Sequence, residues 1–252
     1  MVKSVLRKLQ SAFAALRQGE FVAIANDILK TLRLTKFMYF GLYRLLMLPA
    51  IDALSDMEET SKHDEEFDLS PRTDLAVIPE LLVCLECSDN YNNLSKQKTS
   101  ERFQYLLQHG STVWVLRANN EIAGFFWVSP GEYIIRCIRQ DNDEYSYILE
   151  LPDDVSFIEF VFIKPSHRRH GLFSKAFRRF CEQCPGTIIA SNVHSYNDAS
   201  YKAHKKLGFR EAGSAVYWRC FGWIFASLRF AGTCRPLFRL KKNEPRRIRI
   251  QK

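Results

Sequence analysis

Residues 159–209 read EFVFIKPSHRRHGLFSKAFRRFCEQCPGTIIASNVHSYNDASYKAHKKLGF, and this stretch decides the fold. An apolar run over 157–163 predicts a strand that stops at Pro165, and a basic segment follows at 166–171. From Leu172 onward the apolar residues take helical spacing, so the order is strand, tight loop and helix. Backbone N–H groups at a helix N-terminus, with arginines and a glycine around them, suit an anionic phosphate.

The other elements of the folded part are predicted from the same kinds of pattern. A strand at 187–193 leads to a helix that begins near Asn197 and ends at Gly208. Other predicted elements are strands at 74–87, 112–117, 122–128, 132–138, 145–149 and 215–219, a helix at 90–110, and a polar hairpin turn at 118–121. Antiparallel strands followed by strand–helix–strand–helix predict an α/β, α+β-like domain with a mixed, mostly antiparallel central sheet flanked by helices.

The N-terminal part is predicted to be a helical extension. Residues 2–17 have apolar residues at helical spacing, and no cleavage site of a signal peptide follows them. Residues 37–48, FMYFGLYRLLML, form the most apolar stretch, which is shorter than the roughly 20 apolar residues that a spanning helix needs. We expect a helix packed on the domain, with an interfacial helix on anionic lipid as the alternative.

An acidic segment separates this extension from the folded domain. Residues 52–72, DALSDMEETSKHDEEFDLSPR, are nearly free of apolar side chains, which is typical of a linker. The predicted organisation is therefore a helical extension at 1–51, a linker at 52–73, the folded domain at 74–220 and a C-terminal tail at 221–252. The tail is apolar and aromatic at first and basic at its end, which indicates a solvated tail or, together with the N-terminal extension, a membrane-surface segment.

The net charge and the cysteine content indicate which binding partners and which cellular compartment to expect. The chain has a net charge of +8 and a pI near 9.1, which favours an acidic partner. Nucleic acid is not favoured, because no known nucleic-acid-binding motif accompanies the charge. Seven scattered cysteines are typical of a reducing compartment, so we expect a cytoplasmic protein, with peripheral association at the inner face of the membrane left open. The pairs Cys84/Cys87 and Cys181/Cys184 allow a zinc site, but core thiols without metal are the favoured interpretation.

The segment around the basic loop resembles a known family. Arg168-Arg169-His170-Gly171-Leu172-Phe173 is similar to the Arg/Gln-x-x-Gly-x-Gly/Ala loop of the GNAT superfamily of N-acetyltransferases, and Ile163-Lys164-Pro165 lies where that family has Val-x-Pro. Downstream, 197–200 and 206–209 look like its Asn-x-Ala-Ser and Lys-Leu-Gly-Phe segments. The similarity is clear over 155–212 and extends by strand order back to about residue 74.

The resemblance implies a site for acetyl-CoA or another acyl-CoA, with no metal. The loop would cradle the pyrophosphate through backbone N–H groups, and the pantetheine arm would insert where two strands splay apart. The implied cofactor-binding residues are Phe162, Ile163, Arg168, Arg169, His170, Gly171, Leu172, Phe173, Ser174 and Asn197. Phe173 stands where the family has Gly or Ala, and its side chain can crowd the pyrophosphate.

The resemblance also implies direct attack of an amine on the thioester, with one base and one acid. Glu159 is the base candidate, since it is a lone carboxylate in an apolar strand and many family members carry a carboxylate there. A carboxylate withdrawn from water accepts a proton more readily; the alternative is a structural ion pair with a neighbouring basic group. His204 occupies the position of the family's tyrosine and is the acid candidate, with Tyr201, one turn earlier, as its rival.

The leading hypothesis is an enzyme, a GNAT-type N-acyltransferase that uses acyl-CoA and a small amine or amino sugar. One alternative is a catalytically weak acyl-CoA-binding module docked at a membrane surface. The other is an acyltransferase that takes its acyl group from acyl carrier protein, whose acidic surface would suit the basic tail. An anionic membrane surface and a homo-oligomer stay open as partners.

Overall fold

A computed structural model describes residues 38–48, 67–87, 96–140, 143–185, 187–195, 197–220 and 223–250. The helix predicted at 2–17 lies outside these residues, as does the linker over 52–66. The helices are α1 (Val77–Leu85), α2 (Lys96–Gln108), α3 (Leu172–Gln183) and α4 (Asp198–Lys206). The strands are β1 (Met38–Leu48), β2 (Phe67–Arg72), β3 (Thr112–Ala118), β4 (Glu121–Pro130), β5 (Glu132–Gln140), β6 (Asp143–Glu150), β7 (Val155–Ile163), β8 (Ile188–His194), β9 (Arg210–Cys220), β10 (Trp223–Phe230), β11 (Thr233–Leu240) and β12 (Arg246–Arg249).

A nine-stranded sheet forms the centre of the molecule, in the order β11-β10-β9-β1-β8-β7-β4-β3-β2. Every neighbouring pair in it is antiparallel except β7 and β8, which are parallel and are connected through α3. A second sheet of three strands has the order β12-β6-β5. The predicted fold class, a mixed and mostly antiparallel sheet flanked by helices, is confirmed.

Alternating residues of the large sheet build cores on its two faces. Ile158 packs with α3 and the end of α4 on one face. Its neighbour Phe157 packs on the other face against the small sheet, and Phe125 and Trp127 pack there against α1 and α2. The period of two along each strand explains this division. Consequently α3 and α4 lie on one side of the sheet, opposite α1, α2 and the small sheet.

The prediction of a helix at 37–48 is wrong for the residues that the structure describes, because Met38–Leu48 is an interior strand. It pairs with β8 on one side and β9 on the other. Leu45 belongs to the core under the small sheet, whereas Leu46 belongs to the core under α3. A strand buried on both faces shows no alternation, so its apolar run cannot be told from a buried helix by period alone.

The segment from the predicted linker to the first predicted strand also differs from expectation. Residues 67–72, assigned to the linker, form β2, which pairs with β3. The strand predicted at 74–87 is helix α1, with Pro79 in its first turn, where a missing N–H is tolerated. The helical turn places Cys84 in the core and leaves Cys87 exposed.

The predicted C-terminal tail is folded through Ile250. Strands β10 and β11 extend the large sheet beyond β9, and β12 pairs in parallel with β6 of the small sheet. Ile248 and Ile250 are buried, and Arg247 forms ion pairs with Glu132 and Glu150. Among the described segments, no helix combines the length and apolarity that crossing a membrane would require.

Candidate active site

The two parallel strands separate at the centre of the sheet. Their ladder runs from Val155 opposite Ile188 to Ile158 opposite Ser191 and ends there, although β7 continues to Ile163 and β8 to His194. A splay was predicted at the end of β7, and the structure begins it earlier, directly after Ile158. The ladder is thus interrupted between neighbouring strands inside an otherwise continuous sheet, and we call this interruption the cleft.

A bulge in β7 lies beside this separation. The register with β4 passes from Glu159 opposite Trp127 to Phe162 opposite Phe125, so Phe160 and Val161 together face Phe126. Phe160 has a φ of 53°, an unusual value for a bulky residue. Bulges turn the side chains of a strand and concentrate next to functional sites. Here the bulge follows directly after Glu159.

The carboxylate of Glu159 is buried and accepts one hydrogen bond on each oxygen. Its residue is only 4% exposed. Oγ of Ser129 donates a hydrogen bond to Oε1 at 2.8 Å, and Nη2 of Arg102 donates to Oε2 at 3.0 Å. Oγ of Ser111 lies 2.8 Å from Oγ of Ser129 and extends this network. The alternative of a structural ion pair is thus present, and Arg102 offsets the charge of the candidate base.

Sequence reasoning missed Arg102 and Ser129. They are 57 and 30 residues from Glu159 along the chain. Arg102 comes from α2 and Ser129 from β4, and nothing in their local sequence marks them. Only the packing of α2 over β7 and the β4–β7 register bring them to the carboxylate.

The loop before α3 has the conformation of an anion-binding helix start. A short 3-10 turn at Pro165–His167 follows β7, and Arg169 and Gly171 then take left-handed φ values of 70° and 72°. Gly171 is the N-cap residue and no side chain caps the helix, although N–H of Lys175 already donates to the carbonyl of Gly171. Arg169, His170 and Gly171 are exposed, whereas Leu172 is buried and anchors the helix.

Two predicted cofactor-binding residues of this loop turn toward the protein. Nε of Arg168 donates to the carbonyl of Ile163 at 2.8 Å, and its guanidinium lies over the ring of Phe162. The ring of Phe173 packs at 6.4 Å from that of Phe126 and at 6.1 Å from that of His204. The side chain of Phe173 therefore points into the core, which removes the expected crowding of the loop. Ser174, the last residue of the predicted set in the loop, is half-buried in the first turn of α3.

His204 is buried against the separating strands. It is 3% exposed, and its Nδ1 lies 2.8 Å from the carbonyl oxygen of Ser200, so Nδ1 carries a proton. Nε2 lies 3.0 Å from Oγ of Ser191. Burial lowers the pKa of His204, although the hydrogen bond to Ser200 opposes this effect. The lowered pKa favours the neutral imidazole, in which Nε2 would accept the hydrogen bond of Ser191.

Tyr201 points away from His204 and toward β9. Its hydroxyl donates to Oε1 of Glu211 at 2.5 Å, and the guanidinium of Arg44 lies 4.3 Å from the ring centroid. The hydrogen bond to Glu211 raises the pKa of Tyr201. The two predicted acids therefore face different parts of the sheet.

Asn197 orders the turn before α4. Its Oδ1 accepts a hydrogen bond from N–H of Ser200 at 3.1 Å, which makes it the N-cap of the helix. Its side chain is exposed just after strand β8.

The buried thiols are protonated and dispersed. Burial raises the pKa of Cys84 to about 11 and that of Cys181 to about 12. In the part of the chain that the structure describes, no group of three or more His, Cys, Asp or Glu side chains is arranged to hold a metal ion.

The comparisons agree with this architecture. The sequence matches the acetyltransferase (GNAT) family over residues 80–209, more than half of the chain, and the chain belongs to this family. It is 33% identical over 66 residues to an aminoglycoside N(6')-acetyltransferase type 1 of Acinetobacter haemolyticus. That match covers 25% of this chain and 46% of the relative, so the chain spans less than half of the relative's length.

Two solved structures are similar to the chain at low sequence identity. A conserved protein of unknown function from Staphylococcus epidermidis superposes with a TM-score of 0.50 at 14% identity, over 75% of this chain and 64% of that protein. An acetyltransferase from Thermus thermophilus has a TM-score of 0.45 at 17% identity, over 61% of this chain and 96% of that protein. The first of these likenesses supports the fold alone.

Proposed function

We propose that this protein transfers an acetyl or other acyl group from acyl-CoA to a primary amine of a small molecule or amino sugar. The observation that carries this proposal is the separation of β7 and β8 past Ile158, together with the start of α3 in the connection that follows β7, which no side chain caps. A long, thin ligand with an anionic end fits this combination. Membership of the GNAT family supports the same reaction.

The donor half of the site follows from the loop and the cleft. The first amides of α3 would bind the pyrophosphate, with the exposed Arg169 adding positive charge. The pantetheine arm would lie between β7 and β8 past Ile158 and Ser191, next to Phe162 and Ile163. Asn197 would order the far edge of this cleft through its cap of α4.

Glu159 would take a proton from the attacking ammonium, directly or through one water. Its position immediately before the bulge brings it beside the opening of the cleft, on the face of α2. Ser129 would hold one oxygen in place while the other stays shared with Arg102. Each carboxylate oxygen has two acceptor sites, so both contacts leave capacity for the substrate amine.

We infer that neither His204 nor Tyr201, the two predicted acids, protonates the departing thiolate. A neutral His204 with Nε2 as acceptor has no proton to give there, and its burial disfavours the imidazolium that an acid role requires. The hydroxyl of Tyr201 is committed to Glu211 in a different part of the sheet. We infer that the departing thiolate takes its proton from solvent and that His204 supports Ser191 at the point where the strands separate.

The experiment is thiol release from acetyl-CoA across a panel of amines that includes amino sugars and an aminoglycoside. Glu159→Gln is expected to lower kcat by a factor of about 10² to 10⁴, whereas Glu121→Gln, an exposed carboxylate on β4, leaves it unchanged. Stabilisation by acetyl-CoA without thiol release from any amine would instead favour the acyl-CoA-binding module. Turnover with acyl carrier protein but not with CoA would favour the carrier-dependent transferase.

A further inference from the structure

The guanidinium of Arg102 is a second charged group at the candidate base. Its Nη2 lies 3.0 Å from Oε2 of Glu159, and its side chain is 31% exposed, so it is reachable from solvent on one side. Its Nε is buried and has no hydrogen-bond partner among the described residues. A buried N–H without an acceptor is unfavourable, and an acceptor supplied by a ligand would remove that cost.

The surroundings hold this guanidinium in a defined place. It lies 5.4 Å from the ring centroid of Phe160, the residue with positive φ in the bulge. A cation over an aromatic face is attracted to it, so the ring supports the guanidinium from one side. Ser129 holds Oε1 of Glu159 independently, so Arg102 is not needed to fix both oxygens of the carboxylate.

The charge balance bears on the kind of amine that binds. Arg102 offsets the negative charge of Glu159, so the two residues together do not attract a polycation. Arginine presents planar donors that match the two oxygens of a carboxylate or phosphonate. An amine that carries such an oxyanion can pair with the guanidinium of Arg102, whose side chain is 31% exposed, while its nitrogen reaches Glu159.

The distance between the two protein groups sets the spacing in the ligand. Because Arg102 and Glu159 are in direct contact at 3.0 Å, their complementary groups in one ligand must also be close neighbours. We propose that the acceptor is an amine with an oxyanion on the same or the adjacent carbon, as in an α- or β-amino acid, and that Arg102 binds that oxyanion. This inference rests on the proposed N-acyltransferase function, which it narrows to anionic acceptors.

The test compares acceptors that differ only in the anion. Amino acids, their carboxamides, aminomethylphosphonate and an aminoglycoside are assayed by thiol release from acetyl-CoA. The wild type is expected to prefer each amino acid over its carboxamide by about tenfold to a hundredfold in kcat/KM, which corresponds to one charge-assisted hydrogen-bonding contact. The glycine and aminomethylphosphonate arms decide whether the oxyanion is a carboxylate or a phosphonate-like group.

Variants of Arg102 connect that preference to the residue. Arg102→Gln is expected to bring the ratio of carboxylate to carboxamide close to one, and Arg102→Lys to recover part of it, mainly through KM of the acceptor. Arg235→Gln, an exposed position at the far end of the sheet on β11, is the matched control and keeps the wild-type ratio. Thermal stabilisation by the amino acid in the presence of CoA gives a second measurement, which is expected to vanish in Arg102→Gln but not in Arg235→Gln.

The outcomes separate this inference from the proposed function. Equal or better turnover of carboxamides or of the aminoglycoside would overturn the inference and leave the acyltransferase intact. An equal loss for all acceptors in Arg102→Gln would do the same, because Arg102 would then only position Glu159. The absence of thiol release with every amine would overturn the acyltransferase function itself and the inference with it.

Discussion

Oγ of Ser129 donates a hydrogen bond of 2.8 Å to Oε1 of Glu159, between neighbouring strands β4 and β7. The two residues are diagonal neighbours on one face, since Ser129 stands opposite Phe157 and Glu159 opposite Trp127. Ser129 is buried and its hydroxyl also meets that of Ser111. The orientation of the candidate base is therefore set by the register of the sheet.

Replacing Ser129 by Ala removes this donor while the strands stay paired. We expect kcat to fall about tenfold to a hundredfold, since hydrogen bonds to charged groups contribute roughly 1.5–3 kcal/mol, with KM for acyl-CoA unchanged. Ser111→Ala is the control, because Ser111 touches Ser129 but not Glu159. Steady-state kinetics compares kcat of Ser129→Ala with that of Ser111→Ala. Equal losses of kcat in the two variants would contradict a specific role of Ser129.

Gly171 is expected to be required for acyl-CoA binding. It has a φ of 72°, and an added Cβ would meet no atom within 4 Å, so Gly171→Ala strains the backbone without a steric clash. The strain costs about 1–2 kcal/mol and should displace the first amides of α3. We expect KM for acyl-CoA to rise about tenfold with little change in kcat. Gly110→Ala, at a φ of 79° with equally open space, carries the same strain elsewhere and should leave KM unchanged.

One buried histidine, His204, and one half-buried histidine, His194, make the protein sensitive to acid. Burial lowers the pKa of His194 from 6.5 to about 4 and also lowers that of His204. The unfolded chain takes up these protons near pH 6.5, while the folded protein does not until lower pH, so protonation favours unfolding. Their contribution to stability is complete above about pH 6.5 and declines toward pH 4, by at most about 1.4 kcal/mol per pH unit for each histidine.

Urea denaturation at several pH values checks this dependence. His194→Gln is expected to flatten the decline between pH 6.5 and pH 4, relative to the control His109→Gln at an exposed position. An identical pH profile in the wild type and in His194→Gln would show that this histidine does not contribute.

Substitution of Gly41 tests whether the segment at β1 is a strand or a helix. It pairs with Tyr217 of β9, and a Cβ added at Gly41 would overlap the Tyr217 ring. Gly41→Ala is therefore expected to lower the free energy of unfolding by about 1–3 kcal/mol. In a helix the same substitution would raise the free energy of unfolding by about 1 kcal/mol. The sign of the measured change therefore distinguishes a strand from a helix at this position. The double variant Gly41→Ala/Tyr217→Ala should cost less than the sum of the two single changes.

The C-terminal strand is expected to contribute to stability. Ending the chain at Asn243 removes β12 with the buried Ile248 and Ile250, at an expected cost of about 3–6 kcal/mol. Arg249→Gln, at a charged and exposed position of the same strand, should change the free energy of unfolding by less than about 1 kcal/mol. If the truncated chain unfolded at the same urea concentration as the full chain, the segment would be the solvated tail that its charge suggested.

The elements that the sequence predicts correctly are those marked by turn, capping or helix-breaking residues within a few positions. The sequence predicts the hairpin at Asn119 and Asn120 because asparagine is common in tight turns. In the structure both residues take the positive φ that asparagine tolerates, 50° and 66°. The order of β7, loop, α3, β8 and α4 followed from Pro165, Gly171 and the Asn197 cap, all of which act within a few residues. Apolar segments buried on two faces carry no such signal. The sequence therefore predicts a helix where β1 forms. It predicts a strand at α1 because the exposed Val83 and the half-buried Leu82 continue the apolar run across the helical spacing of the buried residues.

The sequence by itself determined the loop at Gly171, the strand and helix on either side of it, and the presence of a lone carboxylate at Glu159. Only the tertiary structure decided what that carboxylate touches, because Arg102 and Ser129 reach it across the chain through sheet register and helix packing. It also decided that burial lowers the pKa of His204 and that the ring of Phe173 packs against that of Phe126, since burial and ring contacts depend on neighbours distant in the chain. Backbone geometry is set by nearby residues, whereas the charge state and orientation of a side chain are set by what packs around it.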